Sequence, residues 1–157
     1  MKTVFLFDWG NTIMKDYDGK PGPMSAWDKV EMMPFADTML KELSQKADCF
    51  LATNAKESGK DEIIKALKRV GLDIYFKNVF CFRELGVTKP SNAYFELIVA
   101  MLGTDKESIV MVGDSIETDI LGAQEYGIDA VLYDPENAYP DYHGLKITNL
   151  PELLYIF

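Results

Sequence analysis

Two periodicities alternate along the chain. Short, mainly apolar runs occur at Thr3–Phe7, Cys49–Ala52, Val79–Phe82, Ser108–Val112 and Ile128–Tyr133. Runs of this length, bounded by polar or turn residues, read as strands buried on both faces. Between them lie stretches with helical spacing. Phe35–Lys46 places Met39, Leu40 and Leu43 on one side, with Pro34 just ahead. Ser58–Val70 gathers Ile63, Ile64, Leu67 and Val70 on one face, and Gly71 ends it. Asn92–Leu102 is closed by Gly103 and Ile116–Tyr126 by Gly127. Pro151–Phe157 predicts a short terminal helix. Asp16 to Met33 carries the breakers Gly19, Pro21, Gly22 and Pro23 and reads as loop.

Strands that alternate with helices predict a parallel sheet with helices on both faces. The expected class is α/β: a three-layer α/β/α, Rossmann-like sandwich around a central parallel sheet of about five strands. The 157 residues fit one domain, 1–157. There is no internal repeat and no low-complexity tract. In an open sheet of this kind the carboxyl ends of the strands converge on a crevice, which is where ligands bind.

Composition narrows the partners. Hydrophobic content of 48% and charged content of 26% are those of a soluble globular protein. A net charge of −9 argues against nucleic acid as a bulk electrostatic partner. It leaves room for a small phosphorylated substrate, which needs only local positive charge. Cys49 and Cys81 have neither metal-type nor redox spacing and read as reduced core thiols. The apolar run Val4–Phe7 is cut by Asp8, so no signal peptide is expected. No apolar stretch approaches the ~20 residues of a membrane span. The expected compartment is the cytoplasm, with no membrane partner. The sequence leaves the oligomeric state open.

Four separated segments carry candidate chemistry: Asp8 in FLFDWGNT, Thr53-Asn54 in CFLATNA, Lys89-Pro90 in GVTKP, and Asp114 with Asp119 in VMVGDSIETD. Three of them follow a predicted strand. Each residue also has a plain structural use. Asp and Ser115 suit a helix start, and Thr53 suits a turn. Pro90 suits a first helical position. A lysine beside it is electrostatically unfavourable there, which points Lys89 toward another task.

Together the four segments resemble the haloacid dehalogenase-like (HAD) hydrolase superfamily, over roughly Lys2 to Leu132. The resemblance implies that Asp8 is a nucleophile that forms an aspartyl-phosphate. It implies Mg²⁺ as cofactor, held by Asp8, the Gly10 carbonyl and Asp114. Asp119 would join them or hold a metal-bound water. Thr53, with the backbone N–H groups of Asn54 and Ala55, would bind phosphate oxygens. Lys89 would screen charge among Asp8, the phosphate and Asp114. Thr12 would brace the loop; the role of Asn11 stays open.

The resemblance departs at one position. Family phosphatases usually carry a second aspartate two residues after the nucleophile, where this chain has Gly10. Such general acid–base help is worth ~10²–10⁴ in rate. Three readings follow. A substitute carboxyl comes from Asp16, Asp18, Asp28 or Glu31; the enzyme is limited to acyl or aryl phosphates that leave without a proton; or the chain is a catalytically impaired module that binds phosphate and Mg²⁺. The dehalogenase and phosphonatase branches rely on a substantial cap. Here residues 13–34 read only as a short flap in its place. Trp9 reads as packing for that flap, and Trp27 as shielding or packing. His143 and the Tyr139–Tyr142 stretch read as surface. The expected function is therefore a Mg²⁺-dependent phosphohydrolase for a small phosphorylated compound.

Overall fold

The computed structural model describes residues 3–157; Lys2, at the edge of the resemblance, lies outside them. Six strands form one sheet: β1 (Val4–Phe7), β2 (Asp48–Ala52), β3 (Asn78–Phe80), β4 (Ile109–Gly113), β5 (Asp129–Tyr133) and β6 (Lys146–Ile147). Their order is β3-β2-β1-β4-β5-β6, and every neighbouring pair is parallel. The α-helices are α1 (Ala36–Lys46), α2 (Lys60–Arg69), α3 (Phe82–Leu85), α4 (Asn92–Leu102) and α5 (Gly122–Tyr126). The Rossmann-like α/β class stands, with six strands rather than five.

The period-2 geometry of the strands separates two cores. Phe5 and Phe7 of β1 face one layer, with Met39, Leu40 and Leu43 of α1 and Ile63 and Leu67 of α2. Val4 and Leu6 face the other, with Tyr94, Phe95 and Ile98 of α4 and Ala123 of α5. Burying each large apolar side chain contributes roughly 1.5–3 kcal/mol. This double burial is why the strands read as continuous apolar runs.

Several boundaries differ from expectation. β6 has two residues, too few for any period to show. Phe82 leaves the sheet and opens α3, and Ser108 ends a short 3₁₀ turn ahead of β4. The helix expected over Ile116–Tyr126 splits into a π-helical turn, Ile116–Leu121, followed by α5. The wider turn buries the adjacent Asp119 and Ile120 together, one against the site and one in the core. The terminal segment is 3₁₀-helical over Leu150–Tyr155; the Glu152 carboxylate accepts the N–H groups of Thr148 and Asn149 at its start.

The 13–34 segment is ordered by specific contacts. Met14 bridges to both Gly10 and Met32. Met24 and Trp27 are buried in the same core as Trp9, and the Trp27 indole donates to the Pro21 carbonyl at 3.3 Å. The Arg69 guanidinium, at the end of α2, donates to the carbonyls of Ser25, Trp27 and Asp28. Both cysteines are buried. Among the described residues, no helix is long and apolar enough to cross a membrane.

Candidate active site

β1 and β4 are adjacent, and the connections reverse direction there: β2 and β3 lie to one side of β1, and β4 to β6 to the other. Such a switch point opens a crevice at the carboxyl ends of the strands. Asp8 follows β1, and its N–H donates to the Val112 carbonyl at 2.9 Å. Asp114 follows β4, and Thr53 follows β2. Lys89 precedes α4 across a cis bond to Pro90. Its backbone is tied to Asn54 twice: Lys89 N–H donates to Asn54 Oδ1 at 2.8 Å, and Asn54 Nδ2 donates to the Lys89 carbonyl at 2.9 Å.

The Lys89 side chain is 1% exposed and spends all three ammonium protons on protein acceptors. Nζ donates to Asp8 Oδ1 at 3.0 Å, to Asp119 Oδ1 at 2.7 Å and to the Ala52 carbonyl at 2.7 Å. The other Asp119 oxygen accepts the Ser115 N–H at 3.1 Å. The Ser115 hydroxyl oxygen in turn accepts the Thr118 N–H, so Ser115 is the expected helix cap. The Thr12 hydroxyl lies 3.2 Å from Asp8 Oδ2 and 3.4 Å from Asp114 Oδ1. Its single proton serves one of them at a time and bridges the ends of β1 and β4.

Three carboxylates therefore cluster here, and two of them share one lysine. Oxygens of Asp8, Asp114 and Asp119 lie within 4.8 Å of one another. Burial, then the neighbouring Asp8 and Asp119, push the Asp114 carboxyl up to about 7. Burial pushes Asp119 up to about 6, with Lys89 opposing the rise and Asp8 adding to it. Burial alone would lower Lys89, but Asp8 and Asp119 outweigh it and hold the ammonium above the ordinary lysine range. The protein by itself carries surplus negative charge here. An all-oxygen donor set with that surplus fits a hard divalent cation such as Mg²⁺. Asp114 is the freest ligand: protein donors engage both Asp119 oxygens, Lys89 holds Asp8 Oδ1, and the single Thr12 proton is shared between Asp8 Oδ2 and Asp114.

A cavity of about 290 Å³ opens over these strand ends, lined by Asp8, Gly10, Asp16, Trp27, Thr53 and Lys56 among others. Thr53 is 3% exposed, and its hydroxyl oxygen accepts the Ala55 N–H at 3.0 Å. Tyr94, buried beneath, donates to the Thr53 carbonyl at 3.1 Å. Of the four acids offered by the 13–34 segment, only Asp16 lines the cavity. Glu31 pairs with Lys15 and Lys29. Trp9 is buried, Trp27 both packs the segment and lines the cavity, and His143 is exposed. The Asn54 side chain, Tyr94 and Arg69 carried no signal in the sequence.

Comparisons with known proteins bear on the family and the fold. Residues 11–133 match the family model described as haloacid dehalogenase-like hydrolase. Ribulose-1,5-bisphosphate 5-phosphatase of Halopiger xanaduensis is 34% identical over 69% of this chain and 44% of its own length. Pyrimidine 5'-nucleotidase PynA of Streptococcus pneumoniae is 35% identical over 68% and 47%. The chain thus spans about half the length of the curated relatives it matches. Among solved structures, an uncharacterised protein of Listeria monocytogenes superposes with a TM-score of 0.83 at 25% identity, covering 98% of this chain and 97% of the other. YfnB of Bacillus subtilis, solved with bound magnesium, shares the fold at a TM-score of 0.78 and 18% identity, over 99% of this chain and 98% of its own. With a strand-end carboxylate crevice and a family match over most of its length, the chain belongs to the haloacid dehalogenase-like hydrolases.

Proposed function

We propose that the chain is a Mg²⁺-dependent phosphohydrolase that works on a small phosphorylated compound through an aspartyl-phosphate on Asp8. The observation that carries this reading is the convergence of Asp8, Asp114 and Asp119 within 4.8 Å, with Lys89 bonded to two of them. Asp8, Asp114 and the Gly10 carbonyl would hold Mg²⁺, with Asp119 joining them or acting from behind, and the ion would offset the repulsion between carboxylate and phosphate. Lys89, bonded to Asp8 Oδ1, would orient the carboxylate for attack on phosphorus. The Ala55 N–H, bonded to the Thr53 oxygen, leaves the Thr53 hydroxyl proton free to donate outward to a phosphate oxygen. The Asn54 N–H lies beside it, while the Asn54 side chain is occupied with Lys89.

The 13–34 segment takes the place of a cap in this reading. It walls the cavity with Trp27 and Met24 and limits it to a small substrate. Gly10, where a phosphatase of this family usually has an aspartate, leaves the leaving-group proton to another residue.

The test is Mg²⁺-dependent phosphate release from acyl phosphates, aryl phosphates, sugar phosphates and nucleotides, in wild type and Asp8→Asn. The last two classes include those for which the matched relatives are named. Release that disappears in Asp8→Asn supports the reading. Unchanged release in that variant refutes it. Phosphate binding with no release from the whole panel would make the chain a binding module on the same fold.

A further inference from the structure

Transfer of phosphate from an alkyl ester leaves an alkoxide that needs a proton, and water that attacks the aspartyl-phosphate must lose one. Gly10, two residues past Asp8, can do neither. The space beside it is nonetheless filled. A Cβ placed on Gly10 would stand 3.2 Å from Asp16 Oδ2 and 3.3 Å from Asp16 Cβ. The carboxyl of Asp16 thus lies where a side chain at position 10 would begin.

A tight turn brings it there. Asn11 takes a left-handed backbone, φ 59°, which asparagine tolerates better than most residues. The Ile13 and Met14 N–H groups bond back to the Trp9 carbonyl, and the Asn11 N–H bonds to the Met14 carbonyl. Asn11 Oδ1 then accepts the Asp16 N–H at 3.0 Å and fixes the start of the returning segment. This supplies the role for Asn11 that the sequence left open. Asp16 lines the cavity together with Asp8 and Thr53, whereas Asp18 and Asp28 do not. Among the described residues, the ion pairs of this segment go to Glu31 and none involves the Asp16 carboxyl.

Resting on the assignment of Asp8 as nucleophile, we propose that Asp16 is the general acid and base of this site, supplying from across the turn the carboxyl that position 10 lacks. In the first half-reaction an Asp8 oxygen bonds to phosphorus, the phosphorus–oxygen bond to the leaving group breaks, and the departing oxygen takes the Asp16 proton. In the second, a water oxygen bonds to phosphorus and gives its proton to the Asp16 carboxylate. The bond from phosphorus to Asp8 breaks, which frees phosphate and restores both aspartates.

The experiment compares Asp16→Asn with wild type on a sugar phosphate and an acyl phosphate, with Mg²⁺, and follows phosphate release and the intact protein mass. Asp18→Asn is the control for lost loop charge. Asp16→Asn lowers kcat on the sugar phosphate by ~10²–10⁴. The acyl phosphate, which leaves unprotonated, still phosphorylates the variant, and the phosphorylated protein accumulates because water is no longer activated. The double variant Gly10→Asp/Asp16→Gly, which moves the carboxyl back across the turn, recovers sugar phosphate turnover. If Asp16→Asn keeps the wild-type ratio between the two substrates and accumulates no phosphorylated protein, Asp16 is not the acid–base while the phosphohydrolase reading stands. If wild type releases phosphate from neither of these nor from aryl phosphates or nucleotides, both readings fall.

Discussion

Replacing Lys89 by methionine removes the cation but keeps most of the side-chain volume. The structure sets the cost. The Ala52 carbonyl loses a 2.7 Å hydrogen bond in a buried place, which costs about 1–3 kcal/mol. Asp119, 1% exposed, loses its one cationic partner among the described residues, and breaking a buried pair costs about 3–5 kcal/mol. The two terms overlap, so the expected loss at pH 8 is about 3–5 kcal/mol, a large share of the roughly 5–15 kcal/mol a domain has. The loss depends on pH, and its sign follows from the acids. The Asp119 carboxyl already stands at about 6 rather than its ordinary 3.8, and without Lys89 it rises further. A group raised in the folded state stabilises fully below its unfolded value and loses that contribution as pH climbs through the folded value. Lys89, held above 10.5, stays charged across the window and adds no slope. Urea unfolding with a chelator present should therefore give a smaller deficit for Lys89→Met at pH 5 than at pH 8. Each further unit of rise adds about 1.4 kcal/mol at the upper end. Adding Asp119→Asn should recover stability at pH 8, because a neutral amide needs no counter-ion. A deficit below about 1 kcal/mol, or one equal at both pH values, refutes the claim that this lysine offsets buried carboxylates.

Four other outcomes are expected. Mg²⁺ should raise Tm more at pH 8 than at pH 5, since Asp114, at about 7, and Asp119, at about 6, must ionise to hold a cation; equal shifts count against them as ligands, and Asp114→Asn should remove most of the effect. Gly122→Ala places a Cβ 2.8 Å from Pro90 Cβ and 2.9 Å from Pro90 Cα, so it should cost about 1–3 kcal/mol in chemical denaturation and lower kcat by displacing Lys89; wild-type values in both assays would exclude that coupling. Arg69→Lys offers a point charge to three carbonyls that a planar guanidinium now spans, and should speed limited proteolysis within residues 20–34 with global unfolding changed by no more than about 1 kcal/mol. Asn54→Asp removes the donor to the Lys89 carbonyl and should cost about 1–3 kcal/mol in urea melts, with kcat falling more than KM changes.

The strands were legible because both faces are buried. Val4–Phe7 and Ile109–Gly113 carry no exposed position to interrupt the apolar run. Helix α2 was legible because Ile63 and Leu67 repeat on one face. β6 was not: two residues held by pairing to Leu132 and Tyr133 leave no local pattern. The π-helical turn was not legible either, because the partner of its buried Asp119 is Lys89, 30 residues away, and leaves no local pattern. The same division holds at the site. Asp8, Lys89, Asp114 and Asp119 were named from strand ends and motif chemistry, and they meet. The Asn54 side chain was assigned to no partner, and its bonds to a backbone 35 residues away follow from no spacing rule. Asp16 was one acid among four, and choosing it required the turn built on Asn11.

The charges at the strand ends explain why these contacts come as a set. Asp8, Asp114 and Asp119 sum to −3 when ionised, and Lys89 brings the site to −2. Such a site repels a phosphate dianion, and its burial turns that repulsion into raised carboxyl affinities for protons rather than a stable anionic pocket. A divalent cation on Asp8 and Asp114 would bring the sum to zero, and only then would the outward donors at Thr53 and Asn54 meet phosphate without opposition. Lys89 is fitted to this balance by position as well as by charge. Asn54 fixes its backbone, and Asp119 and the Ala52 carbonyl fix its ammonium, so it reaches Asp8 without lying across the cavity. A mobile lysine would supply the same charge but could swing onto the phosphate or into solvent. Locking it behind Asp8 leaves the cavity side of that carboxylate to the cation and the phosphorus that the proposed reaction requires.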